Sequence, residues 1–143
     1  MKKFSVDLSV TPITPRGLKI VENVTYGVVE LDSSMLTLWA SEKQKRGWCI
    51  SGAELEKELT GRALSNAALA DFFLAHPKFI PWRFHDKYLV FMGTVFESVS
   101  GKKCFRCLYR AHGVWISDYL WCDHLFCSDE LAVGLAEDIA IAS

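Results

Sequence analysis

The run Lys103-Cys104-Phe105-Arg106-Cys107-Leu108-Tyr109-Arg110, the break Ala111-His112-Gly113 and the run Val114-Trp115-Ile116-Ser117-Asp118-Tyr119-Leu120-Trp121 decide the fold. Both runs carry aromatic residues at alternating positions, the second adds Val114 and Ile116, and the break between them is short enough for a tight turn. Upstream, Lys87 to Phe96 has the same character, and Ser98-Val99-Ser100-Gly101-Lys102 separates it from the first run. Three strands joined by two turns predict an antiparallel meander. Alternation along a strand then assigns faces. Arg106 and Arg110 share one face with Cys104 and Leu108; Lys103, Phe105, Cys107 and Tyr109 take the other. In the last strand Trp115, Ser117, Tyr119 and Trp121 lie together, opposite Val114, Ile116, Asp118 and Leu120.

Before the meander, Phe4, Val6, Leu8 and Val10 alternate with Ser5, Asp7 and Ser9 and predict a first strand. Pro12 and Pro15 end it, since a proline cannot donate to a central ladder. Leu18 to Glu22, Tyr26 to Leu31 and Met35 to Ala40 read as further strands, with Asp32-Ser33-Ser34 as a turn. Ser41 to Gly47 reads as a charged, solvated connector. Ser51 and Glu54 have the spacing of a capping box and open a helix carrying Leu55 and Leu59 that stops at Gly61. Ser65 or Asn66 caps a second helix, Ala67 to Ala75, with Leu69, Phe72 and Phe73 as its buried stripe and Pro77 beyond its end. Ser128-Asp129-Glu130 predicts a last helix, packed down by Leu131, Leu135 and Ile139. The order is strands, then helices, then strands. It predicts a single α+β domain over residues 1–143, with antiparallel sheet and about three helices on one face.

Composition bounds the function. The chain has 143 residues, half of them apolar, and a net charge of −1. That excludes a disordered chain and a wholly basic nucleic-acid coat. Asp7 interrupts what would be the apolar core of a signal peptide, and no long uncharged apolar stretch spans a membrane. The expectation is a cytoplasmic protein. Five cysteines, an odd number, fit a reducing compartment better than a disulfide framework.

Cys104-Phe105-Arg106-Cys107, followed by Cys122, His124 and Cys127, has some of the arithmetic of a zinc ribbon. The objection is local. An offset of three along a strand puts Cys104 and Cys107 on opposite faces, out of reach of one metal. Buried free thiols are the plainer reading. No nucleophile elbow and no glycine-rich phosphate loop occurs, and the four histidines read as loop or cap residues. No cofactor and no catalytic residue is expected.

Charge is uneven along the chain. Residues 78–112 carry a net +5 and residues 113–143 a net −6. A sheet face of aromatics with Arg and Lys can stack bases and meet phosphates. Cross-strand pairing of Arg106 or Arg110 with Asp118, over aromatics that belong to the core, explains the same residues more simply.

One resemblance spans most of the chain from about Gly17. Trp39-Ala40-Ser41-Glu42-Lys43-Gln44-Lys45, Gly52-Ala53-Glu54-Leu55, Ser65-Asn66-Ala67, Leu74-Ala75-His76-Pro77-Lys78-Phe79-Ile80-Pro81, Phe91-Met92-Gly93-Thr94-Val95-Phe96, Leu108-Tyr109 and the hairpin ending at Trp121 fall in order. Together they resemble a family of small uncharacterised bacterial proteins with a pattern NP.LIP..WK, then FWGT.Y, then a tryptophan-rich hairpin. Met92 stands where that pattern has a tryptophan, and the cysteines are additional. The resemblance implies no activity, cofactor or catalytic residue.

Three functions follow as expectations. The first is a non-enzymatic domain that binds another protein through Trp82, Arg106, Arg110, Trp115, Tyr119 and Trp121, residue types that concentrate interface energy. The second is binding of single-stranded nucleic acid by residues 78–112. The third is a zinc- or cysteine-dependent enzyme. Exposure of the aromatic hairpin separates a binding surface from plain core.

Overall fold

The computed structural model describes residues 2–137. In chain order the elements are β1 (Phe4–Asp7), β2 (Leu18–Asn23), β3 (Val28–Leu31), β4 (Leu36–Trp39), α1 (Glu42–Lys45), β5 (Ile50–Ser51), α2 (Gly52–Glu58), α3 (Ala67–Ala75), β6 (Tyr88–Ser98), β7 (Lys103–Ala111), β8 (Val114–Trp121), β9 (Leu125–Phe126) and β10 (Glu130–Leu135). The fold is α+β, and β6, β7 and β8 form the expected antiparallel meander. The main sheet runs β4-β10-β6-β7-β8, with β2 pairing the far half of β6. β1–β3 and β5–β9 are separate two-stranded pairs. No helix among the described residues is long and apolar enough to cross a membrane.

The last expected helix is a strand. β10 lies between β4 and β6, antiparallel to the first and parallel to the second. Leu131 and Leu135 are buried as expected, but from a strand; Ile139 lies outside the described residues. Glu130, expected to favour a helix N-terminus, instead turns back on its own loop. Its carboxylate accepts from Cys127 N at 3.1 Å and meets His124 Nε2 at 2.7 Å. The small buried run Ala132-Val133-Gly134 suits the centre of a sheet. A Cβ on Gly134 would sit 2.6 Å from the Trp39 ring, so glycine is what lets that indole lie against the strand.

A bulge in β6 shapes the rest. Against the regular β7, register moves from Phe91↔Arg106 to Phe96↔Cys104, so β6 carries extra residues between them. The bulge changes which side chains face which way, and the faces sort accordingly. Leu89, Phe91, Leu108, Val133 and Leu135 pack with Leu69 and Phe73 of α3. Val90, Met92, Val95, Phe105 and Ala132 pack with Leu55 and Leu59 of α2. The expected packing of helices on one face therefore holds for α3, while α2 lies on the other face.

The charged residues of Ser41–Gly47 are exposed as expected, but the segment also forms a short helix anchored by one buried side chain. Ser41 Oγ accepts from Gln44 N while Gln44 Oε1 accepts from Ser41 N, a complete capping box that opens α1. Gln44 is buried and its amide donates to Cys127 O and Glu130 O, both at 2.8 Å. Ser51 caps α2 as predicted, accepting from Glu54 N at 3.1 Å, but the Glu54 carboxylate meets the Ser51 hydroxyl rather than its backbone.

Gly134→Ala tests the placement of β10. Overpacking against Trp39 is expected to cost about 1–3 kcal/mol, read as a lower urea midpoint with unchanged slope. A helical 130–135 would instead be stabilised by the same change.

Candidate functional site

Asp71, one turn into α3, reaches across to β7. Arg106 Nη1 pairs with Asp71 Oδ1, and Arg106 Nε donates to Ser117 Oγ at 3.0 Å. Asp71 Oδ2 accepts from Ile13 N at 2.9 Å, which fastens the proline-bearing segment to the same group. Both side chains are largely buried, so the charges are paired and hydrogen-bonded as a low-dielectric site requires. This corrects the sequence reading twice. Arg106 is not available at a surface, and its acid is Asp71 rather than Asp118, which caps the neighbouring Tyr119 N at 2.8 Å.

The pair divides the expected aromatic face into two ends. At one end Tyr119 is half-buried, edge-on to Phe96, and Trp121 is 40% exposed with Lys102 Nζ over its ring at 5.9 Å. At the other, Trp115 is half-buried against His85, whose ring is 5.4 Å away and edge-on. His85 in turn packs 4.4 Å from Trp82. Arg110, exposed, is the register partner of Trp115. The structure thus brings Trp82, Trp115 and Arg110 together, adds His85, and leaves Tyr119 and Trp121 apart.

Trp82 is 79% exposed, and its position is fixed by its neighbours. It opens a 3-10 turn, Trp82–Phe84, between buried Pro81 and Phe84. Arg83 Nη2 donates to Ser33 O at 2.6 Å and Leu36 O at 2.7 Å and so ties the turn to the segment before β4. The preceding turn, Pro77–Phe79, is seated by Phe79, which packs on Phe4 and Phe72. Between the two turns runs an open groove of about 390 Å³, lined among others by Lys2, Lys78, Phe79, Ile80 and His85. His85 Nδ1 is buried without a hydrogen-bond partner. His85 and this groove were not singled out in the sequence; the alternation rule does not extend into turns.

No protein-family model, no curated protein and no solved structure matches this chain.

The cysteines do not assemble as a metal set. Cys104 packs with Phe96 and Ala67, and regular β7–β8 register carries Cys107 to the opposite face. Cys127 is bonded to Cys49, which goes against the reading of the five cysteines as fitting a reducing compartment better than a disulfide framework. Closing a loop across 78 residues in sequence contributes about 2–4 kcal/mol against the unfolded chain. His124 faces Glu130, and Cys122 is a half-buried free thiol. Among the described residues no group of three or more His, Cys, Asp or Glu is placed to hold a metal ion.

Asp71→Leu or Arg106→Met alone strands a buried charge and is expected to cost about 3 kcal/mol; the double variant combining the two recovers most of it, as a denaturation cycle measures. Burial pushes the Cys104 thiol up to about 11 and raises Cys107 further. In the folded chain Cys104 and Cys107 should therefore resist iodoacetamide at about pH 8, where Cys122 reacts. Both folded thiols keep protons that an unfolded cysteine releases near pH 8.5, so their contribution to stability is whole below about that pH and declines as the pH rises toward 11. A midpoint that stays level across that range contradicts this.

Proposed function

We propose that the chain is a non-enzymatic domain that binds another protein through the surface centred on Trp82, with His85, Trp115 and Arg110 beside it. The observation that carries this reading is an indole left 79% exposed on a turn whose flanking residues are buried. Covering that ring is worth about 3–4 kcal/mol from apolar area alone, above the roughly 2 kcal/mol that marks an interface hot spot. Because the turn is already held, binding costs little ordering. The proposed kinship with the small bacterial proteins brings no activity of its own to this reading.

Nucleic-acid binding by residues 78–112 has less support. Arg106 is turned inward to Asp71, Arg83 is committed to two carbonyls, Lys87 pairs with Asp86 and Lys102 with Asp123. A stripe of free cations tracking a backbone would need most of these.

Trp82→Ala is expected to change the unfolding free energy by no more than about 0.5 kcal/mol, as an exposed site should. A photo-crosslinking residue placed at Trp82 in cells making the protein should capture one defined protein, and the same residue at exposed Val99 should not. Trp82→Ala should then weaken binding of that protein by about thirtyfold. Equal labelling from both positions, or a partner indifferent to Trp82→Ala, counts against the reading.

A further inference from the structure

We propose that the groove beside Trp82 takes an acidic segment of the partner, a short stretch in which carboxylates flank one bulky apolar side chain; this rests on the protein-binding reading above. The charge of the groove is the reason. Lys2 and Lys78 lie among its lining residues and no acid does, although the chain as a whole carries −1. Outside the groove lining, Arg110 adds a cation next to Trp115, its partner in the strand register, whose ring meets His85 edge-on. The acid beside the turn, Asp86, is matched by Lys87. Lys78 is exposed with its Nζ 5.1 Å from the Phe79 ring centre, which sets its charge beside the apolar floor.

The floor between these cations is apolar. Ile80 is buried and Phe79 is half-buried beneath the groove, and Trp82 stands as one wall. A volume of about 390 Å³ accommodates one large side chain with its backbone, not a folded element. An apolar anchor on Phe79 and Trp82, with carboxylates directed at Lys2, Lys78 and Arg110, satisfies both halves of the site. Like-charged segments are repelled at the same place, which gives selectivity as well as attraction.

The test uses the full chain, isotope-labelled, and follows the Trp82 indole and backbone amides by NMR. Three synthetic peptides are titrated at low salt: one with Asp and Glu around a single Leu, its Asn and Gln counterpart, and its Lys counterpart. A single-stranded oligothymidylate is the fourth probe. The acidic peptide is expected to shift Trp82, His85 and Lys78, to bind about tenfold more tightly than the amide counterpart, and to weaken with added salt. Lys78→Glu, at an exposed position, should abolish that preference without moving the unfolding midpoint. Equal binding of the acidic and amide peptides at these residues overturns the acidic-segment proposal and leaves the protein-binding reading standing. Shifts of the same residues by the oligonucleotide but by no peptide overturn both. Failure of every probe to perturb Trp82 overturns the acidic-segment proposal, and the crosslinking result then decides the broader reading by itself.

Discussion

The joint between the start of α3 and the bulge of β6 is the constraint on which the remaining geometry depends. Thr94 Oγ1 accepts from Ala67 N at 2.8 Å and donates to Asn23 Oδ1 at 2.7 Å. Asn66 Nδ2 donates to Leu8 O and Val24 O, at 2.8 and 2.9 Å. Gly93 N donates to Ser65 O, and a Cβ on Gly93 would lie 2.7 Å from that oxygen. Three separate stretches are thereby brought to one helix N-terminus through buried and part-buried bonds. Buried polar atoms left without partners cost on the order of 1–3 kcal/mol each, so these bonds penalise any other placement of α3.

Fixing that end aims the other. α3 runs over the meander so that Asp71 meets Arg106 and Phe73 enters the core, and it stops where Pro77 begins the first 3-10 turn. Trp82 follows five residues later in the same rigid path. The buried ion pair adds little net stability, because desolvation offsets most of its attraction. Its effect is on position: α3 has one register over the sheet in which the carboxylate, the guanidinium and the Ile13 amide all find partners. The bulk of the stabilisation comes from the apolar faces, where Phe73, Phe84, Phe91, Phe96, Phe105 and Phe126 are fully buried.

The meander was legible because a two-residue period is written directly in the sequence and turn residues bound each run. α3 was legible through its Leu69, Phe72, Phe73 stripe. β10 was not. Ser128-Asp129-Glu130 has the chemistry of a helix start, and only the third dimension shows Glu130 bonding back to Cys127 and His124. Gly134 in mid-segment was the available warning, since glycine costs a helix interior about 1 kcal/mol. The Arg106–Asp71 pair and the Cys49–Cys127 bond were also out of reach. They join residues 35 and 78 apart, and local periodicity carries no information across such distances. Strand parity grouped Trp115 with Tyr119 and Trp121, but the register that sets Trp115 opposite Arg110, and what covers that face, depend on the turn and on elements from elsewhere.

The five tryptophans separate structural from interfacial use of one side chain. Trp39 lies on Gly134 with Arg62 over its ring at 5.4 Å, and Trp115 rests against His85. Trp121 is partly shielded by Lys102. Trp48 is 60% exposed, but it follows exposed Gly47, which has a positive φ, and it has no aromatic neighbour among the described residues. Its backbone is nevertheless held, since Trp48 N donates to Lys43 O at 2.9 Å and the next residue, Cys49, is bonded to Cys127. Trp82 is more exposed still, yet it sits between buried Pro81 and Phe84, packs at a tilt against His85 and borders a groove lined by cations and no acid. Exposure alone is therefore a poor guide to a binding surface. A ring partner in His85 and a bordering groove lined by Lys2 and Lys78, rather than backbone order alone, distinguish Trp82 from Trp48.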